Sequence, residues 1–96
     1  MRIARVIGTL TLNRQMPDLV AGRYLLVRPL NRGSLVGNND GNDETLVLFD
    51  EWGARAGDLV GLVEGREATA PFWPKKVPYD CYNACILDAV DFDPVL

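Results

Sequence analysis

Residues 50–65 read DEWGARAGDLVGLVEG, and how this stretch folds decides the architecture. Gly53 and Gly57 punctuate its first half, Asp58 closes that half, and Leu59, Val60, Gly61, Leu62 and Val63 follow as an apolar run. Glycine gives a tight turn the backbone freedom it needs. A short apolar run bounded by turn residues is the pattern of a strand. The stretch is therefore a turn with Arg55 near its tip, followed by a strand over roughly 58–64.

Outward from this turn, four more segments have β-branched or alternating character, at roughly 2–12, 22–30, 45–50 and 84–91. In the first, alternation puts Ala4, Val6, Leu10 and Leu12 on one face with Gly8, and Ile3, Arg5, Ile7, Thr9 and Thr11 on the other. Both faces carry apolar side chains, and the same holds for YLLVRPL (24–30), TLVLFD (45–50) and LVGLVEG (59–65). A barrel with one wet face does not need an apolar exterior, so something is expected to cover part of it.

The connections NRQMPDLVAG (13–22) and NRGSLVGNNDGND (31–43) are rich in turn residues and read as loops. The stretch EGREATAPFWPKKVPYDCYN (64–83) reads as a helical turn at Arg66–Ala70, followed by an arm in which Pro71, Pro74 and Pro78 exclude regular structure. Phe72, Trp73, Tyr79 and Tyr82 lie on this arm, and four aromatics need a surface, either the barrel or a neighbouring molecule. Five short strands without a long helix give an all-β fold, a small antiparallel barrel of OB-like or SH3-like kind, with 1–96 as a single domain.

Composition narrows the functions open to such a barrel. The net charge of -3 provides no footprint for a phosphate backbone, so nucleic acid is disfavoured as a partner. No stretch reaches the ~20 apolar residues that span a bilayer, so no membrane is expected, and MRIARVIGTLTLN (1–13) reads as the first strand instead of a signal peptide. The absence of histidine removes the commonest general base, the commonest metal ligand and every histidine-activated nucleophile, so no catalytic residues are assigned. Cys81 and Cys85 are too few for a zinc tetrahedron or a disulfide scaffold, and they read as small hydrophobes in a reducing cytosol.

Other constellations have plain readings. Gly33, Gly37 and Gly41 form a turn series, and NNDGNDE (38–44) lacks the spacing of a calcium loop, so no metal and no cofactor is expected. Asp50, Glu51 and Asp58 bracket the turn or stay solvated. Lys75 and Lys76 beside Phe72 and Trp73 are the basic-aromatic cluster behind the alternative reading, a small OB-like module for single-stranded nucleic acid.

MRIARVIGTL (1–10), YLLVRPL (24–30), DEWGARAGDLVGLVEG (50–65) and PYDCYNACILDAVD (78–91), in that order, resemble the pentameric vertex proteins of bacterial microcompartment shells, the EutN/CcmL family. The resemblance covers nearly the whole chain and implies a five-stranded OB-like barrel, a homopentamer and a structural shell protein instead of an enzyme. It further implies a cap on the fivefold vertices of the shell, with hexameric shell proteins as partners. Gly53, Ala54, Arg55, Ala56 and Gly57 are by this resemblance the candidates for a loop at a narrow central pore, and Phe72, Trp73, Tyr79 and Tyr82 the candidates for the subunit interface. If Arg55 rings the axis, it is expected to pair with Glu51 or Asp58, to splay outward, or to recruit anions. Its plain reading is a solvent-facing loop residue. Two departures stand out: family members usually carry glycine at the position of Arg55, and Gly-Ser-Ser-Ala where this chain has Gly65, Arg66, Glu67 and Ala68.

Overall fold

A computed structural model describes residues 1–12, 15, 17, 22–31 and 44–91. The loops expected at 13–22 and 31–43, with the glycine series and most of NNDGNDE, fall largely outside these residues. Five strands are present: β1 (Arg2–Leu10), β2 (Arg23–Pro29), β3 (Leu46–Asp50), β4 (Leu59–Glu64) and β5 (Cys81–Leu87). They close into a ring in the order β1-β2-β3-β5-β4. All neighbours run antiparallel except β3 and β5, which are parallel and meet at Phe49 and Tyr82.

Side-chain alternation fills the ring. Ala4 and Val6 of β1, Leu25 and Val27 of β2, Leu48 of β3, and Val60 and Leu62 of β4 are buried together with Ala54 and Cys81. Burying each of the larger aliphatic side chains contributes about 1.5–3 kcal/mol. One feature of β1 departs from strict alternation, because the register with β2 shifts between Val6 and Gly8. The extra residue flips the phase of the strand, so Thr9 stands opposite buried Leu25, and Leu10 stands opposite Tyr24. Leu10 therefore does not share the face of Ala4 and Val6, and it is exposed.

β5 begins at Cys81, earlier than the expected 84, and it ends at Leu87. The prolines of the arm end at Pro78, which leaves Cys81, Tyr82 and Asn83 free to pair with Glu64, Val63 and Leu62 of β4. The arm is also more ordered than its prolines suggest. A 3-10 helix spans Gly65–Phe72 and includes Pro71, whose fixed φ suits that conformation. The arm then folds onto its own barrel. Phe49, Ala68, Tyr79 and Tyr82 form a second core, with Tyr24, Val63, Phe72 and Val77 packed against it.

Phe49 is the hub of this second core. Its ring stacks on Tyr79 at 4.4 Å and 18° and meets Phe72 edge-on at 5.4 Å and 72°. Tyr24 approaches it edge-on at 5.5 Å and 70°. Offset-stacked and edge-to-face arrangements suit the charge distribution of aromatic rings and add to the gain from burial. The arm thus covers one part of the apolar exterior. Ile7, Val47, Trp52, Trp73 and Ile86 remain exposed.

Candidate functional site

The turn at 50–58 is organised by Asp50, the last residue of β3, which is only 1% exposed. One carboxylate oxygen accepts the backbone N–H of Trp52 at 3.0 Å and the amide Nδ2 of Asn83 at 2.8 Å. The other accepts the backbone N–H groups of Gly53 and Ala54, both at 3.0 Å, and lies 3.5 Å from Nη1 of Arg23. A buried carboxylate is tolerated only when donors surround it, and these surround it from three segments of chain.

Asp58 closes the turn from the other end. Its carboxylate accepts the backbone N–H of Arg55 at 2.9 Å, and its own N–H donates to the Arg55 carbonyl at 2.9 Å. The turn is tied to β1, since Gly57 N–H donates to the Val6 carbonyl at 2.8 Å and Val6 N–H donates to the Asp58 carbonyl at 2.9 Å. Gly53 and Gly57 have φ of 85° and 95°, the left-handed region that side-chain-bearing residues rarely enter.

The far side of the turn is tied to β5. Trp52 Nε1 donates to the Asn83 carbonyl at 2.8 Å, and Asn83 Oδ1 accepts the Cys85 N–H at 3.1 Å. The Tyr82 hydroxyl donates to Glu51 Oε1. Burial, followed by that bond and the negative charge of Glu51, pushes the Tyr82 hydroxyl up to about 12. Burial likewise raises the Cys81 thiol to about 12, with Glu64 and Asp80 adding to the shift.

The five loop candidates thus separate by role. Ala54 is fully buried in the main core, where it anchors the turn to the ring. Gly53 and Gly57 supply the backbone shape, while Arg55 and Ala56 are exposed. Among the described residues the Arg55 guanidinium has no ion-pair partner. Asp58 is bonded to the Arg55 backbone and Glu51 to Tyr82, so neither carboxylate is paired with that side chain.

The four aromatic candidates separate as well. Tyr79 and Tyr82 are buried within their own chain and Phe72 is half-buried, whereas Trp73 is 82% exposed. Trp73 borders a groove of about 550 Å³ with Arg66, Thr69 and Ala70.

Asn83 and Trp52 were not identifiable as partners of the turn from sequence, because the bonds they make cross from β5 to a segment more than thirty positions away. The signal for Asp50 was present: an aspartate three positions before a glycine is the spacing of a side chain that accepts turn N–H groups. Cys81 and Cys85 are free thiols, and among the described residues no three metal-ligating side chains converge. No helix among the described residues is long and apolar enough to cross a membrane.

A profile of the family described as "Ethanolamine utilisation protein EutN/carboxysome" matches residues 1–88. The chain belongs to the EutN/CcmL family. Solved EutN/CcmL structures share its fold. CcmL of Gloeobacter violaceus is 25% identical, with a TM-score of 0.81 over 98% of this chain and 92% of its own. EutN of Escherichia coli is 25% identical, with a TM-score of 0.77 over 96% of this chain and 89% of its own. GrpN, a pentameric microcompartment shell protein from Rhodospirillum rubrum, is 24% identical, with a TM-score of 0.79 over 97% of this chain and 100% of its own. No curated protein sequence matches the chain. The EutN/CcmL family and these neighbours are structural shell proteins, not enzymes.

Proposed function

We propose that the chain assembles as a cyclic homopentamer that caps the fivefold vertices of a bacterial microcompartment shell and packs against hexameric shell proteins. The observation that carries this reading is the family match over residues 1–88, joined to a fold shared with pentameric shell proteins along almost the whole chain. The exposed apolar side chains Ile7, Val47, Trp52, Trp73 and Ile86 support it, because large apolar groups left outside a closed ring are what subunit contacts bury. Of the subunit-interface candidates Phe72, Trp73, Tyr79 and Tyr82, the two tyrosines are taken up by the chain's own second core and Phe72 is half-buried. Trp73 is the one with most side chain to offer a neighbour.

The Gly53–Gly57 loop is the candidate lining of a narrow central pore. Five copies of Arg55, each exposed and without an ion-pair partner among the described residues, would then face one axis. Such a ring biases an opening toward small anions. Nothing supports the alternative as a single-stranded nucleic-acid module.

Native mass spectrometry at micromolar concentration tests the assembly. A five-subunit mass is expected, and a stable monomer or dimer overturns the reading. Crystals grown in sulfate test the pore: density on the axis that disappears in Arg55→Gly is expected, and five side chains turned away from the axis exclude the anion ring.

A further inference from the structure

We propose that Arg5 and Arg28 form a receptor for a carboxylate of the neighbouring copy of this chain, and that this contact makes the ring head-to-tail; the proposal rests on the ring reading above. Arg5 stands directly opposite Arg28 in the β1–β2 register. Directly opposed residues on neighbouring strands are close enough for like charges to repel, so the pair calls for an anion. Among the described residues neither arginine has an ion-pair partner. Nε of Arg28 is, among the described residues, the buried side-chain nitrogen or oxygen that has no hydrogen-bond partner. A buried donor left unsatisfied is costly, and a carboxylate that docks as the Arg28 side chain turns toward it satisfies it.

The surroundings fit a protein surface better than a free ion. Val47, opposite Leu26 on the neighbouring strand pair, is 48% exposed, and Ile7 on β1 is also exposed. Arginine set among apolar side chains is the composition of an interface core.

The chain itself supplies the anion. It carries 13 acidic residues against 10 basic ones. Glu67 on the 3-10 helix and Asp80 before β5 are exposed and, among the described residues, have no ion-pair partner. Arg5 stands opposite Leu59, at the start of β4, whereas the backbone carbonyl of Asp80 accepts the Gly65 N–H just beyond its end. The cationic and anionic patches are therefore separated along a strand by roughly 20 Å. A two-fold contact through the arginine face would bring four guanidinium groups together. A head-to-tail contact instead sets that face against a different, acidic patch, as a closed ring requires.

The test measures the subunit concentration at half-assembly for the full chain, by native mass spectrometry and sedimentation. Circular dichroism reports whether each variant is folded. R28Q is expected to raise that concentration roughly thirtyfold or more, the usual effect of removing one partner of a buried charge pair. R28K, which keeps the charge and loses Nε, is expected to fall between R28Q and wild type. R28E combined with E67K and D80K is expected to restore the assembly that R28E alone loses. R5Q, at an exposed position, carries the test if R28Q does not fold. A wild-type ring whose half-assembly concentration is the same in R28Q and R5Q overturns this proposal alone. A wild-type chain that stays monomeric overturns the ring reading and this proposal with it.

Discussion

Asp50 shows how one side chain can hold an entire turn. Its two oxygens take three backbone N–H groups and one side-chain amide, and two of these donors, the Ala54 N–H and the Asn83 amide, would otherwise be left without a partner where water is excluded. Each orphaned buried donor costs about 1–3 kcal/mol. Asp50→Ala is therefore expected to lower stability by roughly 3 kcal/mol or more, and Asp50→Asn by less because one acceptor oxygen remains. Urea unfolding at a fixed subunit concentration measures both, and a loss below ~1 kcal/mol for alanine would show that the turn holds without its carboxylate. Gly57 isolates the backbone contribution, because a Cβ added there meets nothing within 4 Å while φ is 95°. Gly57→Ala should cost about 1–2 kcal/mol through conformation alone, while Arg55→Gly, on an exposed side chain, should stay within about 0.5 kcal/mol. The same unfolding experiment checks the pair.

At the scale of elements, the β4–β5 pairing depends on a close approach at Gly61. A Cβ there would lie 2.8 Å from Cys85 Sγ and 2.8 Å from Met1 Sδ. The Met1 side chain is exposed, unbranched and can turn away, whereas Cys85 is held opposite Gly61 by the strand register. Gly61→Ala should thus cost about 1–3 kcal/mol by overpacking. Adding Cys85→Ala should recover part of that loss, a coupling of about 0.5 kcal/mol or more in a double-mutant cycle. Additive losses would place the strain elsewhere. The arm shows a related dependence among elements. Its prolines leave the backbone few regular options, but it is held by Phe49, where β3 and β5 meet and close the ring. Ring closure and arm docking therefore share one set of aromatic side chains.

For the whole molecule, Cys81 and Tyr82 at the start of β5 make stability depend on alkaline pH. Both have folded-state values of about 12, raised from ordinary values of 9.0 and 10.0. The folded protein therefore holds these protons more tightly than the unfolded chain, which releases them first as pH rises. The stabilisation is fully present below pH 9.0, and it is lost progressively between pH 9.0 and about 12. Unfolding free energy measured across this range should fall, and Cys81→Ala with Tyr82→Phe should flatten the slope relative to each variant's own value at pH 8. An unchanged slope in the double variant would assign the alkaline loss to other groups. In an assembly the same pH range should also weaken the ring, because Tyr82 ties β5 to Glu51 at the base of the candidate axial loop.

Local pattern determined the strands, because alternation and turn residues act between near neighbours: β1 to β4 lie within two residues of where the sequence places them, and Gly53 and Gly57 carry the turn. Family membership was equally legible, since the spacing of several motifs along one chain survives without coordinates. What contacts distant in sequence decide was not legible. The bulge after Val6 turned Leu10 outward, the free backbone after Pro78 let β5 begin at Cys81, and Tyr79 and Tyr82 found their surface on their own barrel. Asp50 could be read as bracketing a turn, but only the fold brought Asn83 and Arg23 to it and excluded water. Periodicity specifies which side chains share a face, whereas burial and partnership depend on what the closed ring brings against that face.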